Sequence, residues 1–415
     1  MRIGIVGAGV GGLTLALSLI DKGYRDIQIY EAAEEISDLG VGINILPHAM
    51  QVMSGLGLLA PLVAASVETG TLSYYTQWGQ LILSDERGIN AGYRWPQISI
   101  HRSQLIQILH AAVVERLGID RIKTGRRCTG FSSTPGAPAQ AYFENGQEEF
   151  DLLIGCDGIH SAIRKGMYPN EGDPKWDGIT MWRAVSYMPA NTIFESMIIA
   201  GKSEHRMVMY PIEKGGDGRY LVNWVAKYKT ASAQEMPRQD WIHKAEDSEI
   251  PEDFQKFDFL MASELIANAE VIYKYPQVDR DPLPSWNLNN VTLLGDAAHP
   301  MYPSGSNGAS QAILDAESLS QSLMSEPGIG LALDRYDQER RPATSEIVMK
   351  NRRAGPERCI DLVEQRAPLG FDHIDDVIAH EELQFILKDY KKVAGFDRES
   401  LDKVEKKATT LMGAK

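Results

Sequence analysis

The chain of 415 residues is too long for one ordinary domain and predicts two domains, or one large domain with an insertion. Its hydrophobic content of 43% and charged content of 24% are typical of a soluble globular protein. Its net charge of −14 argues against a nucleic-acid partner, which needs clustered Lys and Arg. Because Cys128, Cys156 and Cys359 have no paired spacing, we predict a reducing, cytoplasmic location without disulfides or a zinc site. The uncharged run 3–20 is rich in glycine and follows a single basic residue, so we expect neither a membrane span nor a signal peptide there.

The first predicted elements form one βαβ unit with a glycine-rich turn. A short β-rich run, the sequence GAGVGG, a helix-forming run and a second strand follow one another in residues 2–31. Gly7 permits the tight turn, Gly9 leaves room for a pyrophosphate, and Gly12 lets the helix lie close to the sheet. Glu31, at the tip of the second strand, is placed to accept hydrogen bonds from ribose hydroxyls. The unit predicts a dinucleotide site but does not choose between FAD and NAD(P).

A glycine-containing loop and a hairpin come next. The loop around Gly42 could cover a cofactor ring or serve only as a connector, and Pro47 then opens a helix at its favoured first position. Residues 71–83 alternate around Trp78 and Gly79, which predicts a β-hairpin that leaves the first domain.

Arg102 follows a predicted strand and precedes Ser103, which we expect to be the N-cap of a helix. An Arg at a strand-to-helix corner can be a structural salt-bridge partner. Its position beside a nucleotide-binding unit favours a contact with the cofactor.

Two further signals lie at the ends of apolar strands. Asp157 and Gly158 follow the strand 152–154, and an acid-glycine pair at the carboxyl end of a parallel strand is where open α/β sheets bind ligands. Asp296 follows the buried-type strand 291–294 in the same way. The loop after Asp296 contains Pro303 and Gly308 and feeds a helix from Ala309, whose N-terminus points at whatever the loop encloses.

Residues 173–276 have short alternating runs that predict antiparallel strands of a second domain, followed by a helical stretch near 251–269. Arg183 and Arg206 each lie in register with apolar residues, and a cation on an apolar strand face is costly unless it is paired. Either each Arg has a buried acid partner or it faces a cavity and binds the anion of a ligand. For a substrate anion we favour Arg206, with Tyr210 on the same strand face. The competing hypotheses are that Arg183 binds the anion, or that backbone amides and side chains such as Trp224 hold a neutral ring.

Three motifs in this order, GAGVGG with Glu31, CDGIHSAIR at 156–164 and LGDAAHP at 294–300, resemble the single-component flavin monooxygenases of the para-hydroxybenzoate hydroxylase family. The runs GVGINI, SIHR, TMWR, YPQVDRDPLP and NGASQAILD are similar to its phenazine-1-carboxylate monooxygenase branch. The resemblance implies an α/β fold: a Rossmann-like FAD-binding domain, an inserted antiparallel-sheet substrate domain and a C-terminal helical region. The expected boundaries are 1–70, 98–172 and 277–350 for the FAD-binding domain, 71–97 and 173–276 for the substrate domain, and 351–415 for the helical region.

The resemblance also implies cofactors and site residues. FAD is expected to be bound non-covalently, with NADH or NADPH as a transient co-substrate. The implied cofactor-binding residues are Gly7, Gly9, Val10, Gly11, Gly12, Glu31, Gly42, Arg102, Asp157, Asp296, Pro303, Gly308 and Ala309.

The implied reaction is hydroxylation of a small aromatic or N-heteroaromatic substrate by O₂ through a flavin C4a-hydroperoxide, with or without decarboxylation of a carboxylic acid. The flavin carries this chemistry, so no catalytic side chain or metal is assigned. We expect a monomer or homodimer without membrane or nucleic-acid partners. Two alternatives remain: an FAD-dependent dehydrogenase or reductase on the same fold, and a non-catalytic flavin-binding protein.

Overall fold

The structure is a computed structural model that describes residues 1–36, 40–189, 196–230 and 243–401. Its strands are β1 (Ile3–Val6), β2 (Ile27–Tyr30), β3 (Gly42–Ile45), β4 (Ser66–Glu68), β5 (Thr71–Thr76), β6 (Leu81–Glu86), β7 (Ile98–His101), β8 (Ile122–Lys123), β9 (Cys128–Ser132), β10 (Ala139–Phe143), β11 (Gly146–Phe150), β12 (Leu152–Gly155), β13 (Lys175–Pro189), β14 (Met197–Gly201), β15 (His205–Lys214), β16 (Arg219–Lys229), β17 (Lys244–Ala245), β18 (Ile272–Asp279), β19 (Asn287–Leu288) and β20 (Val291–Leu293). Its α-helices are α1 (Val10–Asp21), α2 (Pro47–Gly55), α3 (Leu59–Ala64), α4 (Arg102–Leu117), α5 (Ala162–Met167), α6 (Ala262–Ala267), α7 (Gly308–Ser325), α8 (Ile329–Asn351), α9 (Arg358–Arg366) and α10 (His380–Val393).

The first sheet carries the predicted dinucleotide unit. Its strand order is β19-β20-β12-β1-β2-β8, and all neighbours are parallel except β19 and β20. Every residue of β1, β12 and β20 is buried, as expected for parallel strands covered on both faces. The carboxyl ends of β1, β12 and β20 lie side by side, so the three sequence motifs that follow these strands meet at one edge of the sheet.

The second sheet has the order β17-β18-β13-β16-β15-β14-β5-β6, with strands drawn from residues 71–86 and 175–279. Its pairs are antiparallel except the parallel pair of β14 with β5. The hairpin predicted around Gly79 is β5–β6. Separate hydrophobic clusters cover the two faces of this sheet.

The structure also contains two smaller three-stranded sheets. Strands β9, β10 and β11 form the turn-rich sheet of the first domain. Strand β7 lies between β3 and β4 and is antiparallel to both. The Gly42 amide in β3 donates a hydrogen bond to Asn223 Oδ1 in β16 at 2.7 Å, so this small sheet attaches directly to the large one.

The C-terminal helices complete one face of the large sheet. Cys359 and Val363 of α9 and Leu383 and Leu387 of α10 are buried in the same cluster as Val208 of β15. The last helices of the chain therefore wall off the sheet face that carries Arg183.

The structure corrects two local predictions. Helix α4 begins at Arg102 with His101 as its N-cap, and the Ser103 hydroxyl bonds His101 Nδ1 at 2.6 Å, so Ser103 is not the N-cap. The predicted helical stretch near 251–269 consists of short 3₁₀ turns and the six-residue α6. The uncharged run 3–20 forms β1 and α1, and none of the described helices is both long and apolar enough to cross a bilayer.

Candidate active site

The glycine-rich turn between β1 and α1 has the geometry that its sequence predicts. Gly7 has a φ of +106°, a conformation that favours glycine, and a Cβ at Gly12 would lie 2.0 Å from the Gly7 carbonyl oxygen. A Cβ at Gly9 would meet nothing within 4 Å, so the space above the start of α1 is open. The free N–H groups of this helix start and its dipole favour an anion in that space.

Glu31 lies beside this turn. Its Oε2 accepts a hydrogen bond from the Ala8 amide and its Oε1 from the Ala33 amide, both at 2.9 Å. These two bonds fix the carboxylate at the tip of β2 and leave acceptor capacity for ribose hydroxyls. Gly11 has no open space beside it, because a Cβ added at this position would lie 2.7 Å from the Leu294 side chain.

Asp296 is exposed in a segment whose neighbours Leu294, Gly295 and Ala297 are buried. Burial within the protein raises the pKa of Asp296, while the charges of His299 and Arg102 oppose the shift. A carboxylate that solvent reaches although protein surrounds it lies on the wall of a deep cleft. The charge of Arg102 acts on Asp296, so these two residues lie near each other.

A buried acid that the sequence analysis missed supports this wall. Asp315 is fully buried and accepts hydrogen bonds from the Gly295 amide at 3.1 Å, from His299 at 2.5 Å and from Arg340 Nε at 2.8 Å. Burial alone would raise the pKa of Asp315, but the charges of His299 and Arg340 outweigh it and hold the pKa below its usual value. The sequence feature that could have identified Asp315 is an acid on the apolar face of α7, next to Ala316 and Leu319.

Asp157 does not reach toward the cofactor cleft as a free acceptor. Its carboxylate accepts hydrogen bonds from the Ser161 hydroxyl at 2.5 Å and from the Ala162 amide at 2.7 Å, and so caps α5. The buried Arg164 then donates to the carbonyl oxygens of Ala297 at 3.1 Å and Ala298 at 2.7 Å. Through Arg164, this second motif holds the segment that directly follows Asp296.

A cavity of about 60 Å³ lies between the large sheet and the loop before α7. Met181, Met197, Ile199 and Val208 form most of its apolar wall. Pro303 and Ser306 line it from the loop side, and Gly308 and Ala309 begin α7 immediately after. The start of α7 therefore lies beside the cavity and contributes positive potential there.

Arg183 is the cation that the structure places in this cavity wall without an acid partner among the described residues. Its guanidinium donates to the Gly42 carbonyl oxygen and to the Tyr275 hydroxyl, both at 2.9 Å. Its Nε is buried with no hydrogen-bond partner in the described part of the chain. Burial opposes the charge of Arg183, but the Tyr275 and Tyr210 hydroxyls beside it outweigh that effect and raise its pKa. Gly42 thus contacts the arginine through its carbonyl group.

Arg206 is paired with acidic side chains and does not present a free charge to the cavity. Our choice of Arg206 for the substrate anion was therefore wrong. It donates to Glu357 at 3.0 Å and also to Asp361, and Lys227 lies 3.4 Å from Glu357. Tyr210 does share its strand face and lines the cavity. The positive charge of Arg206 is already neutralised by Asp361 in α9 and by Glu357 in the turn before α9.

Trp224 lies on the wrong face of the sheet to contact a ring in the cavity. It pairs in register with Ala184 and Met209, whereas Arg183 pairs with Val225. Its indole N–H donates to Ser186 Oγ at 3.0 Å in the opposite hydrophobic cluster. Side chains alternate along a strand, so neighbours of Val225 point away from the cavity.

Comparison with known proteins identifies the family of this chain. The model of the FAD binding domain family matches residues 1–351. The chain belongs to this family. It is 40% identical over 360 residues to the phenazine 1,6-dicarboxylic acid hydroxylase PhzS of Lysobacter antibioticus, covering 84% of this chain and 88% of the relative. It is 30% identical to the 3-amino-4-hydroxybenzoate 2-monooxygenase PtnB3 of Streptomyces platensis, covering 86% and 88%.

Among solved structures, Klebsiella pneumoniae HpxO complexed with FAD and uric acid has a TM-score of 0.70. It is 20% identical and covers 95% of this chain and 92% of that one, which shows a shared fold. The family member described here is an FAD-dependent aromatic monooxygenase that uses NAD(P)H as co-substrate. This finding supports neither the dehydrogenase nor the non-catalytic alternative.

The residues present fit FAD. The open space at Gly9, the fixed carboxylate of Glu31 and the exposed Asp296 offer sites for pyrophosphate and ribose, and the N-terminus of α7 faces the cavity where the ring would react. Bound flavin supplies the redox chemistry with O₂ and NAD(P)H. The protein supplies the positive potential of α7 and a cavity whose wall is apolar except at Arg183, Tyr210, Ser306 and the Lys227–Glu357 ion pair.

Proposed function

We propose that the chain hydroxylates an N-heteroaromatic carboxylic acid of the phenazine type and that Arg183 binds the substrate carboxylate. The observation that carries this proposal is a cavity-lining arginine whose hydrogen-bond partners among the described residues are neutral groups. The relative from Lysobacter antibioticus, whose name gives phenazine 1,6-dicarboxylic acid as substrate, supports the choice of ring. Hydroxylation with loss of the carboxyl group is included in the proposal.

The chemistry of Arg183 suits an aromatic carboxylate. The guanidinium is planar and presents several donors, and its buried Nε has no partner among the described residues. A charge-assisted hydrogen bond in such a site contributes about 1.5–3 kcal/mol. Burial raises the pKa of the neighbouring Tyr210 to about 12, so that this hydroxyl stays protonated at neutral pH and can donate a second hydrogen bond.

Apart from the paired Lys227 and Glu357, the rest of the wall suits an apolar ring. Met181 and Met197 have flexible thioether side chains that can repack around rings of different shape. Val208 and Val225 come from adjacent strands in direct register and form a flat apolar surface between them. The wall therefore orients a planar ring with its carboxylate at Arg183.

The first experiment is a substrate panel. Phenazine-1-carboxylate, phenazine-1,6-dicarboxylate, unsubstituted phenazine and 3-hydroxybenzoate are offered to the holoenzyme, and NAD(P)H oxidation, O₂ uptake and product are measured. We expect product and equal O₂ consumption with the phenazine acids, and little product with phenazine itself. Product formation from phenazine as fast as from its acids would overturn the assignment of a carboxylate substrate.

The second experiment tests Arg183 directly. Arg183→Met should raise the Kd of phenazine-1-carboxylate by about 10- to 150-fold, the equivalent of 1.5–3 kcal/mol, with normal FAD content. The matched control is Arg219→Met, because Arg219 is an exposed arginine of the same sheet. An unchanged Kd in Arg183→Met would refute its role.

We further propose the domain boundaries given above, a cytoplasmic location and a monomeric or homodimeric state. The three cysteines, Cys128, Cys156 and Cys359, are free thiols, which supports a reducing compartment. Light scattering of the purified holoenzyme would measure the mass.

A further inference from the structure

The substrate cavity is one of three neighbouring spaces. A surface groove of about 540 Å³ lies beside β4 and β6, and its lining includes Thr69, Arg87 and Gln97. Between groove and cavity lies a constriction of about 10 Å³, which we call the throat and which is lined in part by Leu387, Lys391 and Phe396.

Shared wall residues place these spaces in a row. Arg87 and Gln97 line both the groove and the throat. Met197, Ile199 and Ser306 line both the throat and the cavity. The order is therefore groove, throat, cavity, with Arg87 and Gln97 at the outer end of the throat and mainly apolar side chains at the inner end.

The throat is closed to an aromatic ring in this conformation. A space of about 10 Å³ holds at most one water molecule. An ion pair joins two elements beside the throat, because Lys391 Nζ on α10 lies 2.7 Å from Asp85 Oδ1 on β6. A carboxylate that enters the throat can take the place of Asp85 as the partner of Lys391, which lets α10 shift.

Positive charge is in excess at the outer end of the throat. Two buried or half-buried cations, Arg87 and Lys391, share the carboxylate of Asp85. Arg87 Nε lies 2.8 Å from Asp85 Oδ2, but the two groups are not aligned for a hydrogen bond. Among the described residues, the Nε–H of Arg87 therefore has no hydrogen-bond acceptor. Glu68 and Lys214 line the groove with opposite charges and cancel in this balance. Arg87 is 6% exposed, so water screens this charge poorly.

We propose that the groove and throat are the route by which aromatic carboxylates reach and leave the cavity, and that Arg87 and Lys391 select for the negative charge. The inference rests on the proposed function, because it takes the substrate to be a carboxylate. Lys391 should affect the rate at which ligands pass and not the affinity of the bound ligand, because it lines the throat and not the cavity.

The test compares binding kinetics of an acid and a neutral analogue. Oxidised holoenzyme is mixed rapidly with phenazine-1-carboxylate or phenazine-1-carboxamide, and the change in flavin absorbance gives kon and koff. In Lys391→Met we expect the ratio of kon for the acid to kon for the amide to fall about 3- to 10-fold, as loss of one steering charge predicts. Because the cavity is unchanged, koff for the acid should fall with kon, and Kd should stay within about twofold.

The amide controls for any opening of the throat when the Asp85–Lys391 pair is lost, since opening speeds both ligands alike. Lys392→Met, an exposed neighbour on the same helix, should leave the ratio unchanged, and Lys391→Arg should restore it. An unchanged ratio in Lys391→Met, or a change in Kd with unaltered kon, overturns the proposed route. Failure of the proposed function would show differently, as wild-type protein that binds acid and amide equally and Arg183→Met with an unchanged Kd.

Discussion

Replacing Arg206 by methionine should destabilise the fold and change substrate affinity much less than Arg183→Met does, because Arg206 contacts the cavity only through its partner Glu357. Arg206 is 7% exposed and Glu357 is 2% exposed, and they are joined by a 3.0 Å hydrogen bond. Without the arginine, Glu357 keeps Lys227 as its partner at 3.4 Å, and Asp361 loses its cation. Breaking a buried ion pair from one side costs about 3–5 kcal/mol, and the remaining lysine favours the lower figure.

The assay is equilibrium unfolding of the holoenzyme in urea, followed by tryptophan fluorescence. A loss of about 3 kcal/mol corresponds to a roughly 150-fold change in the unfolding equilibrium. Glu357→Gln alone should also destabilise, because it leaves two buried cations with less compensation. The double variant should lose about 1–3 kcal/mol less than the sum of the two single losses, since the residues are in direct contact.

Arg219→Met serves as the control, because that exposed arginine should change stability by no more than about 0.5 kcal/mol. The reasoning is refuted if Arg206→Met unfolds at the wild-type urea concentration while its Kd for phenazine-1-carboxylate rises more than tenfold. That result would mean that Arg206 binds the substrate and that its acid partners contribute little.

The remaining predictions concern the flavin and acid stability. Asp296→Ala should lose FAD occupancy before it loses fold, because ribose bonds to a carboxylate contribute about 1.5–3 kcal/mol; the flavin-to-protein absorbance ratio measures this, and full occupancy would contradict it. Glu31→Ala should act alike but more weakly, because backbone amides already take part of its acceptor capacity. Acid precipitation should leave the yellow colour in the supernatant, and colour in the pellet would indicate a covalent bond. The lowered pKa of Asp315 contributes stability that is present above the unfolded-state value of about 3.9 and is lost as pH falls through the lower folded-state value. Asp315→Asn should therefore be less stable at pH 7 and lose less between pH 4 and pH 2 in urea titrations; parallel curves would count against this role.

Motifs whose partners are close in the chain could be predicted from the sequence. The contact of Gly12 with Gly7 lies within six residues, although Gly7 also packs against the Cys156 backbone of a distant strand end, and the acid at Glu31 lies one βα unit away. The end of β20 at Asp296 follows from a buried strand pattern. These features fix the first sheet, and the order of the motifs then indicates the cofactor.

The substrate wall could be predicted only in part, because its partners are distant. Arg183 and Arg206 have the same local pattern, and Glu357 lies 151 residues from Arg206. No local rule distinguishes an arginine paired with α9 from one that faces a cavity. Trp224 could have been excluded by strand alternation, because Val225 and Lys227 were available to set the face.

The distance between Arg206 and its acids has a consequence for synthesis on the ribosome. Glu357 and Asp361 are made 151 and 155 residues after Arg206, which at about 5–20 residues per second is a delay of about 8–30 seconds. During that interval the sheet face at Arg206 and Lys227 carries cations without their partners and keeps them hydrated. Strands β1, β2, β8 and β12 of the first sheet are made before Arg206 and can pair early. Strand β20 follows Arg206, and the substrate cavity closes only when α9 and α10 leave the exit tunnel.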